Sequence, residues 1–123
     1  MGEPRLVTAS WAVLFAASKI GPLDVQPVRI SRSGPRFWAG AKFPVINELI
    51  PAKGQDRDSY LAQLDQVGIP RLQARFAVIA AESRHLDTLA LVCFEADRND
   101  CHRSWFAERW EQRTGVAVPE LLL

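Results

Sequence analysis

The residues best suited to chemistry in this chain are Cys101-His102-Arg103, three consecutive side chains that bring together a thiol, an imidazole and a guanidinium. Asn99 and Asp100 stand just before them, and both are good helix N-caps. A helix is expected from about Cys101 to Gly115, with Phe106 and Trp110 on one stripe. Either cap places Cys101 in the first turn. The first amide N–H groups of a helix lack internal partners and point outward, and the helix dipole adds partial positive charge there. Both effects favour a thiolate over a thiol. His102 and Arg103 add positive charge, while Asp97 and Asp100 oppose it. Such settings lower a cysteine pKa from about 8.5 into a range of roughly 3.5–7.5. The chemistry would be that of a nucleophilic or redox-sensing thiolate. His102 would serve as acid, base or donor, and Arg103 would bind a negatively charged substrate group. The structural alternative is a small cysteine packed at a helix start, flanked by capping or surface residues.

The segment before this turn is the clearest strand. Thr88 to Glu95 (TLALVCFE) is a nearly continuous apolar run, as expected of a central strand covered on both faces. Alternation puts Leu91, Cys93 and Glu95 on one face. Glu95 is a candidate general base, or a group that holds Arg103; a solvated strand end is its plainer role. Cys93 is expected as a small apolar core residue. A redox pair with Cys101 across the connecting loop is its other possibility. Structural zinc wants four well-directed ligands. The only thiols and imidazoles are Cys93, Cys101, His85 and His102, so no metal site and no cofactor are expected.

A second half of the site is sought in Ser31-Arg32-Ser33-Gly34-Pro35-Arg36, a loop rich in hydroxyls, glycine and arginine. Such a loop holds phosphate, sulfate or carboxylate with side chains and backbone N–H groups. It lacks the Gly-Lys-Ser/Thr ending of a Walker loop. Arg29, Ser31, Arg32 and Arg36 are the candidate substrate-binding residues here, beside Arg103. Phe37 and Trp38 follow, and can stack on a ring or anchor the loop to the core.

These segments meet only if the elements place them together. Leu6-Val7-Thr8 is a first strand, and Ser10 caps a helix from Trp11 to about Ile20 that Gly21-Pro22 ends. Val25 to Ser31 is a second strand. A short helix is expected over Phe43 to Ile50, stopping before Pro51. Asp56 or Asp58 caps a helix that runs to Val67, with Tyr60, Leu61, Leu64 and Val67 at helical spacing. Gly68 suits a left-handed cap. Pro70 suits the first turn of a further helix, which runs to about Arg84 and buries Leu72, Phe76 and Ile79. Val116 to Val118 is a candidate edge strand. Strands alternating with helices imply one α/β domain over 1–123, with a mostly parallel sheet of about three to four strands and helices on both faces. Parallel strands put their C-terminal ends on one rim, where ligands of such folds bind. That rim would gather Thr8, Ser10, Ser31, Arg32, Glu95 and Cys101-His102-Arg103.

Leu89 to Glu95 followed by Cys101-His102-Arg103 at a helix start resembles the family catalogued as domain of unknown function 488. Val28-Arg29-Ile30-Ser31 with Pro35 soon after is similar to its early part, so the resemblance spans most of the chain. It implies a compact α/β domain of bacterial, archaeal or phage type, and no established activity. It carries over Cys93, Glu95, Cys101, His102 and Arg103, and also Arg29. Many members have an acidic residue shortly before that arginine, whereas Pro27-Val28 stand here.

Composition bounds the rest. The 123 residues amount to one domain, with 48% hydrophobic and 24% charged residues, ordinary values for a folded chain. A net charge of +1 argues against a global electrostatic grip on nucleic acid. The bias of twelve Arg to three Lys leaves local anion binding open. Two cysteines do not make a disulfide-built secreted scaffold. The early apolar run, Trp11 to Ala17, is too short for a membrane span. A cytoplasmic protein with no membrane partner is therefore expected. Its expected ligand is a small anion. The alternatives are a nucleic-acid accessory domain using Arg32 and Arg36, and a protein-interaction module using the terminal leucines.

Overall fold

A computed structural model describes residues 3–34, 42–83, 87–94 and 101–122. The expectations for Arg36, Phe37, Trp38, His85, Glu95, Asn99, Asp100 and Leu123 fall outside the described residues. The chain is a mixed α/β fold. Among the described residues its elements are β1 (Arg5–Ser10), α1 (Trp11–Ile20), β2 (Gln26–Arg29), α2 (Arg57–Val67), α3 (Ile69–Glu82), β3 (Thr88–Cys93) and α4 (His102–Thr114), with a 3-10 turn at Asn47–Leu49.

Among the described residues the sheet has three strands in the order β1-β3-β2, all parallel. The central strand is the apolar one. Every residue of β3 is buried, because helices cover it from both sides. On one face Val7, Ala9, Ala90 and Val92 pack against Trp11 and Leu14 of α1. On the other, Leu6, Val28, Leu89 and Leu91 pack against Tyr60, Leu64, Leu72, Phe76, Phe106 and Trp110 of α2, α3 and α4. Cys93 shares the alternation of Leu89 and Leu91, so it points toward α4.

The helix boundaries follow local chemistry. The Ser10 hydroxyl accepts from the Val13 amide and caps α1. The Asp56 carboxylate accepts from the Ser59 amide and caps α2. Gly68 ends α2 at φ 87° and ψ 149°. The positive φ needs glycine, but ψ is extended rather than left-handed helical. The chain therefore turns straight into α3, with Pro70 in its first turn.

Three expectations need correction. The segment Phe43–Ile50 is not a helix beyond the 3-10 turn. Val45 instead forms a parallel bridge with Arg29, the Arg29 amide donating to the Pro44 carbonyl and the Ile46 amide to the Arg29 carbonyl. Tertiary pairing at the β2 edge outweighs the local tendency. Val116 to Val118 is not a strand. The pairing lies later, where the Thr8 amide donates to the Pro119 carbonyl and the Leu121 amide donates to the Thr8 carbonyl. Both edges of the sheet are thereby partly covered. Finally, Cys101 is itself the N-cap of α4, at φ −126° and ψ 146°, and not a residue of its first turn.

Candidate functional site

The C-terminal ends of the three parallel strands share one rim. Ser10 ends β1, Ile30-Ser31 follow β2, and Cys93 ends β3. The start of α4 lies against all three. Cys93, Cys101 and Arg103 are essentially closed to solvent, and His102 is 8% exposed. Two cysteine sulfurs, an imidazole and a guanidinium are thus enclosed together at the top of the sheet.

The sulfurs of Cys93 and Cys101 are joined. Each faces a separate polar group of α4. Arg103 donates from Nη1 to Cys93 Sγ at 3.0 Å. His102 Nδ1 stands 3.7 Å from Cys101 Sγ. The opposite side of the imidazole fixes its tautomer. His102 Nε2 is 2.7 Å from the Ile30 carbonyl oxygen, which only accepts. Nε2 therefore carries a proton, and in the neutral ring the Nδ1 lone pair faces Cys101. The ring is held further by Tyr60, which meets it edge-on at 5.6 Å. The Tyr60 hydroxyl donates to the Leu49 carbonyl at 2.6 Å, and burial pushes its phenol well above the ordinary range. Tyr60 is thus a fixed neutral wall.

Arg103 is held as firmly. Nε and Nη2 donate to the Glu120 carboxylate at 3.1 and 2.8 Å. Glu120 also accepts from the Thr8 hydroxyl at 2.6 Å. The result is a continuous run from β1 through Thr8, Glu120 and Arg103 to the Cys93 sulfur. A two-pronged carboxylate contact suits the guanidinium fork, and Nη1 on its other side is turned to Cys93 Sγ. Glu120 balances the arginine charge, which a buried guanidinium requires.

The other predicted residues separate. Arg29 is half-buried and donates from Nη1 to the Ser31 carbonyl at 2.7 Å, so it braces the loop it precedes. The Ser31 hydroxyl is buried, accepting from Trp11 Nε1 at 3.2 Å and donating to the Ser33 carbonyl at 2.7 Å. Arg32 is exposed. It lines a cavity of about 170 Å³ with Ser31, Ser33, Pro51, Phe94 and His102. It also lines an adjoining space of about 290 Å³ that adds Lys53, Gln55 and Trp105. His102 forms a wall of both, so the imidazole connects the buried sulfurs with a basic surface depression. The cavity of about 280 Å³ between α2, α3 and α4 holds no thiol or imidazole.

The donor atoms of Cys93, Cys101 and His102 lie within 4.8 Å of one another. Such a set suits a soft metal, but a sulfur bonded to its neighbour is not a thiolate ligand, so ligation and the disulfide exclude each other.

Sequence reasoning found Cys101, His102, Arg103 and the Ser31-Arg32 loop. It missed Glu120, whose one signal is a lone acid in the apolar run Val118 to Leu122. It also missed Lys53 and the orienting role of Tyr60. Among the described residues no helix is long and apolar enough to cross a membrane. Comparison with protein-family models, with curated proteins and with solved structures gives no match.

Proposed function

We propose that this protein carries out thiolate chemistry on a small anionic ligand, with Cys101 as the reacting sulfur. One observation carries this reading: the Ile30 carbonyl holds the proton of His102 on Nε2, which turns the Nδ1 lone pair toward Cys101 Sγ. A base aligned with a thiol and itself oriented by a third group is the arrangement nucleophilic catalysis uses. When Cys101 is reduced, its proton passes to Nδ1 and leaves a thiolate beside an imidazolium. Arg103 acts at one remove, positioned by Glu120 and facing Cys93. Arg32 and Lys53 supply the positive charge around the depression that His102 lines, and an anionic ligand group would sit there. A cytoplasmic setting, in which thiols are kept reduced, suits such a site. Cys93, Cys101, His102 and Arg103 are among the residues that carry the resemblance to domain of unknown function 488.

The test is the ultraviolet thiolate absorbance of the reduced Cys93→Ala variant, followed against pH. This reports Cys101 without requiring a reagent to reach it. Titration below the ordinary thiol value of about 8.5, moved upward by His102→Gln, is the expected result. An ordinary titration unaffected by that substitution would make Cys101 a structural helix cap. Loss of anion binding in an Arg32→Ala, Lys53→Ala double variant would place the ligand; unchanged binding would remove the depression from the site.

A further inference from the structure

We propose that Cys93 and Cys101 form a reversible dithiol–disulfide couple, in which Cys101 attacks a low-molecular-weight disulfide bearing carboxylates and Cys93 resolves the product. This deepens the function proposed above and rests on Cys101 being the reacting sulfur.

A purely structural disulfide needs two sulfurs and a fixed backbone. It does not need a proton acceptor at one sulfur and a cationic donor at the other, because disulfide sulfur carries no proton and accepts hydrogen bonds weakly. Here His102 Nδ1 faces Cys101 and Arg103 Nη1 faces Cys93. Each of these groups interacts more strongly with the reduced state. The lone pair on Nδ1 takes up a thiol proton, and the guanidinium N–H stabilises a thiolate. Both are held by outside partners, Ile30 and Glu120, so they stay in place when the bond opens. The backbone that carries each sulfur is anchored too, since Cys93 ends the buried central strand and Cys101 caps a thirteen-residue helix. Only eight positions separate them. By the chain-entropy argument so short a loop contributes less to stability than a long one, which is weak reason to keep the bond permanently closed.

The order of attack follows from position. Both sulfurs are buried, but His102 lines the basic depression and touches Cys101, whereas Cys93 ends the central strand with Arg103 against it. The Cys101 thiolate attacks one sulfur of the external disulfide. A bond forms between Cys101 Sγ and that sulfur, the external S–S bond breaks, and one thiolate leaves. The Cys93 thiolate then attacks Cys101 Sγ, closes the internal disulfide and expels the second thiolate. Two electrons pass from the protein dithiol to the external disulfide, which becomes two thiols. The reverse sequence, driven by excess external thiol, reopens the pair. Arg32 and Lys53 beside His102 favour an anionic partner over a cationic one.

Reduced protein is treated with oxidised glutathione and, in parallel, with the cationic disulfide cystamine, and followed by intact mass. Wild type is expected to lose two hydrogens with no lasting adduct, faster with glutathione. Cys93→Ser is expected to trap one glutathione on Cys101, and Cys101→Ser to trap none. A lasting adduct on wild type would leave Cys101 reactive but overturn the couple. No change in wild type or in Cys93→Ser would overturn both the couple and the function on which it rests. A rate equal for the two disulfides would overturn the anionic substrate class. Should Cys93→Ser fail to fold, wild type in glutathione buffers of varied ratio decides the matter: the pair closes and reopens with the ratio if it is a couple, and a bond that stays closed in excess reduced glutathione is structural only.

Discussion

The Glu120 carboxylate grips the Nε and Nη2 side of Arg103, which leaves Nη1 aimed at the Cys93 sulfur. The guanidinium is fully buried and the carboxylate side chain is 13% exposed. Removing one partner strands a buried charge, which costs about 3–5 kcal/mol, whereas replacing both partners with apolar residues of similar volume is often near neutral. Glu120→Gln is therefore expected to lower the urea midpoint sharply. Arg103→Met with Glu120→Leu is expected to recover most of that stability. The double variant should still exchange its disulfide more slowly than wild type, because the donor at Cys93 is gone. Recovery of both stability and exchange rate would reduce Arg103 to a packing residue.

The tautomer of His102 can be checked directly. The 2.7 Å contact to the Ile30 carbonyl predicts a proton on Nε2 in the neutral ring. Nitrogen shifts and couplings of ¹⁵N-labelled imidazole in the disulfide-bonded protein, where Cys101 has no proton to give, should show that form once the ring is neutral. A neutral ring with its proton on Nδ1 would place a donor, not an acceptor, against Cys101 and would undo the base role.

The parts of this site differ in how openly the sequence displays them. The Cys101-His102-Arg103 run and the strand ending in Cys93 are legible because their residues are neighbours, and because a fully apolar strand and a Phe106/Trp110 stripe have few other uses. Parallel topology then brings Ile30 and Ser31 to the same rim. Glu120 is not legible, since its partner is seventeen positions away and an isolated acid ordinarily belongs to the surface. Sequence alone sets the N-cap of α4 one or two residues early, because Asn99 and Asp100 are better cap types than cysteine. Local propensity ranks them correctly in isolation, but the helix begins where Cys101 is fixed by its sulfur partner and by the Ser104 amide, which donates to its carbonyl at 3.0 Å. The bridge at Val45 is hidden in the sequence for a related reason. Its pairing partner, Arg29, belongs to another strand, so no spacing within the segment reveals it.

Acid stability should depend on Glu48. Burial raises its pKa, but its own backbone amide and the cations Arg75 and Arg71 outweigh that and bring it below the ordinary 4.5. The side chain lies 3.3 Å from Arg71 and 3.4 Å from Arg75, tying the 3-10 turn to α3. A carboxyl depressed in the folded state binds its proton more readily when unfolded. Its stabilising contribution is thus present above the unfolded value and is lost as pH falls through the folded one. Wild type should lose urea resistance progressively below pH 4.5, and Glu48→Gln should start lower at neutral pH and fall less. Parallel pH profiles for the two proteins would show that the Arg71 and Arg75 contacts do not hold in solution.

Tyr60 links core stability to the chemistry of the rim. Its hydroxyl donates to the Leu49 carbonyl, and its ring packs edge-on to His102. Tyr60→Phe keeps the ring and removes only the hydroxyl, leaving a buried carbonyl without that donor at a cost of about 1–3 kcal/mol. The imidazole wall survives, so the Cys101 titration should barely move. Tyr60→Ala removes the wall as well. It should cost about 3–5 kcal/mol, the range of large aromatic-to-alanine changes in a core, and should loosen His102 from the Ile30 carbonyl. The Cys101 titration should then rise toward the ordinary thiol value in Tyr60→Ala but not in Tyr60→Phe. Chemical denaturation gives the first difference and thiolate absorbance the second. A titration unmoved in both variants would mean that Ile30 alone holds the imidazole, and Tyr60 would then belong to the core and not to the site.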